Sequence, residues 1–176
     1  VDATKRFTGK TAIPDMYGSI TLSASYKAFD MRAIFSYGLG GYAYDSAYSD
    51  FMDNESAGNT QQLHTDIENR WKQAGDVTDV PILNSNLQVN QASTSTRFLI
   101  EADYFNFSNI QVGYTLPDSL IQKINASNIR IYFTGDNLMI LSKRDGFNPG
   151  YSLSGNTARY TYEPMTTFTA GLTLNF

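Results

Sequence analysis

Cysteine is absent from this sequence, and with it disulfide staples and thiolate chemistry; the absence suits a bacterial envelope protein without requiring one. Charge is scarce too: Asp, Glu, Lys and Arg make up 17% of the 176 residues, against roughly 25% in ordinary soluble domains. The charge present sums to −4 with no basic stripe, which argues against a nucleic-acid partner. No run approaches the ~20 apolar residues of a membrane helix, so any membrane crossing must be made by strands closed into a barrel. The first residues, VDATKRFTGK, carry no apolar signal core, and the chain reads either as processed or as a piece of something longer.

What is abundant is aromatic and small polar: 12 Tyr and 11 Phe beside many Asn, Ser, Thr and Gly, material for strands with wet loops. The clearest strand is the last, MTTFTAGLTLNF. Phe168, Ala170, Leu172, Leu174 and Phe176 fall on one face and Thr167, Thr169, Gly171, Thr173 and Asn175 on the other. Apolar on one side and uncharged-polar on the other is what lipid outside and a wet lumen inside demand. The same design recurs from Ser19 to Lys27, and again from Met31, through Ala33, Phe35 and Tyr37, to Leu39, with Ala28-Phe29-Asp30 as a tight hairpin link. Strands are expected at about 18–27, 31–41, 98–116, 128–140 and 165–176. Within 98–116, Phe105 and Phe107 invert the phase of their neighbours, which predicts a β-bulge. Read as one strand, it would extend on the order of 60 Å and stand clear of a bilayer.

Two long loops, 42–97 and 141–164, interrupt the alternation. The first opens on Tyr42, Tyr44 and Tyr48 among the acids Asp45, Asp50, Asp53 and Glu55. These oxygens could hold Ca²⁺ but lack EF-hand spacing, so a hydrated acidic loop is the plainer reading. A helix is expected around Thr60–Gln73, with Leu63, Ile67 and Trp71 four apart on one face. Trp71 either stacks on a ligand or caps a small core with Leu63 and Ile67. The only histidine, His64, stands near Asp66 and Glu68 as a solvated side chain, and no nucleophile, base and orienter assemble into a catalytic set. Gly38-Leu39-Gly40-Gly41 is too closely spaced for a dinucleotide loop and reads as strand glycine. Tyr26, Tyr37 and Tyr114 fit an interfacial girdle.

The connections alternate short, long, modest, long, as in outer-membrane barrels with short periplasmic turns and long extracellular loops. About five strands cannot close, so the expected fold is all-β, antiparallel and up-and-down, part of a larger barrel. Two alternatives stay open: a secreted soluble β-sandwich that binds carbohydrate through aromatic loops, and a glycoside hydrolase using Glu101 and Asp103, the weakest reading.

Several stretches together resemble the carboxy-terminal part of the SusC/RagA family of TonB-dependent transporters of Bacteroidetes outer membranes. They are Ile13–Gly18, Tyr26–Asp30, Phe35–Gly41 with Tyr44-Asp45, Trp71, Asp79-Val80-Pro81, Glu101–Phe105, Ser108–Pro117, Ile131–Leu138, Gly146–Gly150 and Thr161–Phe176. The resemblance implies that 1–176 is the end of a transmembrane β-barrel of about 22 strands closed by a plug. It further implies a SusD-like surface lipoprotein as lid, import of glycans or peptides, and no enzyme activity. Energy would come from the TonB complex through an amino-terminal part preceding Val1. Asp136-Asn137 would sit near the outer rim of the fourth strand and Asn148-Pro149 in the last extracellular loop, while Gly150 stands where many members carry an acid. Phe176 would be the terminal aromatic read by the outer-membrane assembly machinery, and outer-membrane lipid would surround the strands. Candidate ligand or partner contacts are Trp71, Tyr42, Tyr44, Tyr48 and Asn148; no cofactor is implied.

Overall fold

The computed structural model describes residues 7–52, 62–82, 95–121, 126–151, 154–156 and 162–176. Asp53, Glu55 and the polar run at 83–94 lie outside these residues. Period-2 patterning dominates the rest. An open antiparallel sheet has the order β1 (Met16–Tyr26), β2 (Phe29–Leu39), β5 (Tyr104–Thr115), β6 (Asn128–Ser142), β7 (Thr167–Asn175), all five paired as neighbours. A second sheet holds β3 (Tyr42–Tyr44) against β4 (Leu99–Glu101). The helices are α1 (Ser46–Phe51) and α2 (Asp118–Ile121).

The register carries the alternation of each strand across the whole sheet. Phe29, Tyr114, Ile131 and Leu172 form one cross-strand row, Met31, Val112, Phe133 and Ala170 the next, and Ala33, Ile110, Gly135 and Phe168 a third. Rings meet along this face, with Phe35 stacked on Phe107 at 4.6 Å and Phe133 on Phe168 at 5.7 Å between centroids. The opposite rows are polar but for Ile34: Arg32, Gln111, Thr134 and Thr169, then Ile34, Asn109, Asp136 and Thr167. The phase inversion at Phe105 and Phe107 is a bulge at Ser108, where the pairing of β5 shifts against both neighbours. It returns Phe105 and Phe107 to the face of Ile110 and Val112.

No described residue lies over the apolar face. Leu172 is 57% exposed and Phe133, in the strand next to it, 48%. A β-sandwich would bury this face under a second sheet, and among the described residues none covers it. The buried side chains lie elsewhere. Met52, Ile67, Val80 and Phe98 form a small core, with Tyr44, Tyr48 and Leu63 against it. Ala43, Ala102 and Phe147 form a second, and Ile121, Ala126 and Ile129 a third beside the short connection after β5.

Two sequence-based expectations are corrected. The long strand at 98–116 is two strands in two sheets. Phe98 ends a 3₁₀ turn, β4 stops at Glu101, and Ala102 donates its N–H to the Gly41 carbonyl at 3.1 Å before β5 begins at Tyr104. The 60 Å span therefore does not exist. The helix expected around Thr60–Gln73 is, among the described residues, a 3₁₀ turn, Thr65–Asn69. Asp66 donates its N–H to His64 Nδ1, and the Asp76 carboxylate takes the N–H groups of Lys72 and Gln73 at 2.9 and 3.0 Å, which diverts the chain from further helical bonds. Both bonds hold the Asp76 carboxyl below its ordinary value.

Candidate functional site

The strands sort their connections to two ends. At one end lie the Lys27-Ala28 turn and the segment carrying α2; at the other the chain leaves β2 and β6 into its two long loops. Those loops are joined by charge and by backbone. Asp45, 1% exposed, caps α1 by accepting from the Tyr48 N–H at 3.1 Å and is ion-paired with the guanidinium of Arg144, 99 positions later in the chain. Phe147, 2% exposed, lies in the core of Ala43 and Ala102, and Tyr44 donates its N–H to the Gly155 carbonyl. The acidic loop expected to be hydrated thus contains a buried carboxylate, already engaged; its partner's distance in sequence gave no local signal. Among the described residues no three acidic or histidine side chains gather as metal ligands.

The candidate contacts do not converge. Tyr42 accepts from Lys10 Nζ at 2.7 Å. Tyr44 sets its ring edge-on to Phe98 and its hydroxyl 3.0 Å from Ser49 Oγ. Tyr48 donates to Asp66 Oδ2 at 2.6 Å under the Arg144 guanidinium; burial first, then the bond and charge of Asp66, push its phenol up to about 12. Trp71 stands outside the core of Ile67 and Phe98, half-exposed, with its backbone N–H donating to the Val80 carbonyl. Glu101 pairs with Lys143 at 3.0 Å and Asp103 accepts from the Gly40 N–H at 2.6 Å, so each carboxylate has a structural partner.

Asn148 lies at a pocket. On the polar face, where the sheet meets the second long loop, a depression of about 180 Å³ is lined by Ser36, Tyr104, Asn106, Asn148, Glu163 and Pro164 among others. Asn148 accepts from the Gly150 N–H and donates to Glu163 Oε2, both at 3.1 Å. A side chain at Gly38 would place its Cβ 2.5 Å from Tyr104 Cε1, so this glycine is what lets the Tyr104 ring lie across β2. Tyr104, Asn106 and Glu163 were not singled out from sequence; the alternation of β5 puts Asn106 on the polar face, and only the fold brings Glu163 there.

No family model matches the sequence. TonB-dependent receptor P3 of Formosa agariphila is 27% identical over 173 residues, covering 93% of this chain, and TonB-dependent receptor P39 of the same organism is 23% identical over 170 residues. The chain spans 16% of the length of each of these curated relatives. The fold superposes on a solved RagAB peptide importer in its open-open state with a TM-score of 0.78 at 25% identity, covering 98% of this chain and 19% of that one. A second RagAB peptide transporter structure gives 0.76 at 28% identity, over 96% of this chain and 18% of that one. These likenesses support a SusC/RagA-type TonB-dependent receptor. The segment aligns with receptors and importers, and its sheet matches a run of barrel strands.

Proposed function

We propose that this segment supplies the carboxy-terminal strands of an outer-membrane barrel of about 22 strands that imports glycans or peptides. A SusD-like lipoprotein covers the long-loop end, and TonB drives transport through a plug supplied by another part of the full-length receptor. One observation supports it most: an apolar face in register across five neighbouring strands, uncovered by any described residue, backed by a polar face rich in Asn, Thr, Ser and Gln. Lipid is the solvent that such a face fits. The likeness to RagAB importers supports the transport role and the lipoprotein partner. Phe176, exposed just beyond β7, serves in this reading as the terminal aromatic that the assembly machinery reads.

Single cysteines at Leu172 and Thr173 in the full-length receptor test the reading. In membranes, a polar thiol reagent labels position 173 and spares 172. Equal protection of both positions would mean two buried faces and would defeat the barrel.

A further inference from the structure

Strict alternation fixes the register of a strand only by halves. A slip of one residue would turn β7 inside out, but a slip of two again sets apolar against apolar and polar against polar. Some further feature must choose between pairings that both faces allow. The cross-strand row Asp30, Gly113, Tyr132 and Gly171, on the polar face, has the form required: large side chains alternate with glycines across β2, β5, β6 and β7.

Two close approaches fill that row. The Arg130 guanidinium, on β6, passes over β5 to reach Asp30 on β2, 100 positions away, donating from Nε at 3.1 Å and from Nη2 as well. A Cβ at Gly113 would stand 2.3 Å from Arg130 Nη2 and 2.5 Å from Asp30 Oδ1, so the pair forms because the strand between has no side chain there. Beside it Tyr132, its ring 5.4 Å from the same guanidinium, lies across β7. A Cβ at Gly171 would stand 2.2 Å from Tyr132 Cζ, whereas on the apolar face Gly135 leaves a looser 3.2 Å to Phe168. Tyr104 over Gly38 repeats the device between β2 and β5, and Tyr37 over Gly18 between β1 and β2.

We propose that this band is the register key of the sheet: the Asp30–Arg130 pair over Gly113 and the Tyr132 ring over Gly171 select one pairing of β2, β5, β6 and β7 among those that alternation permits. Moving β7 by two residues brings Thr169 or Thr173 under the Tyr132 ring and forces the ring off the strand. Moving β5 by two brings Gln111 or Thr115 between Arg130 and Asp30 and parts the charges. The key acts through pairing, whatever solvent meets either face, and so goes beyond the importer reading; the 172/173 labelling decides that reading separately.

The test is a crosslink that reads register in the assembled full-length receptor, in a form otherwise free of cysteine. Directly opposed positions are close enough for a disulfide, and diagonal ones are not. Cysteines at Thr134 and Thr169 report the observed pairing; cysteines at Thr134 and Thr167, or at Asp136 and Thr169, report the two slips. The unaltered band should give the 134/169 product alone. Tyr132→Ala should raise the slipped products about fivefold, the upper end of what one cross-strand pair is worth, and Gly171→Thr should raise them further. The exchange of Tyr132→Gly with Gly171→Tyr seats a ring over a glycine again and should restore the 134/169 product. Between β5 and β6, cysteines at Gln111 and Thr134 report the observed pairing and cysteines at Asn109 and Thr134 a slip; Gly113→Thr should slip as far as Arg130→Ala does.

Unchanged slipped products in Tyr132→Ala, or an exchange that pairs no better than Gly171→Thr alone, would overturn the key. A Gly113→Thr sheet that keeps its pairing would strike the ion pair from it. Should Gly171→Thr leave no assembled receptor, the exchange decides: an assembled receptor with the 134/169 product upholds the key, and a slipped or unassembled one overturns it.

Discussion

The five-stranded sheet and the module made by the two long loops solve opposite problems. The sheet keeps its large apolar side chains outside: Phe133, Leu172 and their neighbours stay half-exposed while the hydrogen-bonded polar side chains face the other way. The module hides its own, with Phe98 1% exposed among Met52, Ile67 and Val80. A region with an internal core is ordered by the aqueous hydrophobic effect. A sheet with none must borrow its apolar contacts from lipid and its edge pairing from further strands. The two regions should therefore respond to different injuries.

The largest effect belongs to the module. Phe98→Ala removes its central ring and should cost about 4 kcal/mol locally. Limited proteolysis of the full-length receptor in membranes would show new cleavage within residues 42–97, with the strands still protected. Loss of the strands too would mean that the regions are one cooperative unit. Next comes the sheet. Phe133→Arg puts a charge on the lipid face and should cost about 2–3 kcal/mol, seen as reduced heat-resistant assembly in the outer membrane. Thr134→Arg, one residue along and on the lumenal face, should leave assembly nearly unchanged; equal damage from both would erase the distinction between the faces.

The smallest effect is a titration. The Tyr48 phenol, raised to about 12, stays protonated in the folded module after an unfolded tyrosine has begun to ionise. Its stabilising share is complete below pH ~10 and fades as pH climbs through the folded value. Ultraviolet difference titration of the full-length receptor should lose a late-titrating component in Tyr48→Phe. An unchanged late phase would place the raised phenol elsewhere.

What could be read from the sequence follows the same division. The strands were legible because a face open to lipid needs strict alternation, and even the bulge showed as a phase inversion at Phe105 and Phe107. The break at Ala102-Asp103 was hidden, since Phe98, Ile100, Ala102 and Tyr104 keep one parity although the chain passes from one sheet to another. The module was mostly illegible. Its helix α1 buries Ser46 and Ser49, which carry no apolar period, and the Leu63, Ile67 and Trp71 spacing promised a helix that Asp76 prevents. Asn148 could be named from its motif. Tyr104, Asn106 and Glu163 required the register of β5 and the return of the second long loop.

The ion pair between Asp45 and Arg144 bears on how such receptors can be recombined. A chimera that keeps residues 42–97 but takes 141–164 from a relative without Arg144 leaves the buried Asp45 carboxylate without its counter-charge, a fault more damaging than never having had the pair. Loops that look like independent cassettes in sequence are, in this molecule, a matched set. Swapping ligand preference by grafting should succeed when both travel together and fail when either travels alone.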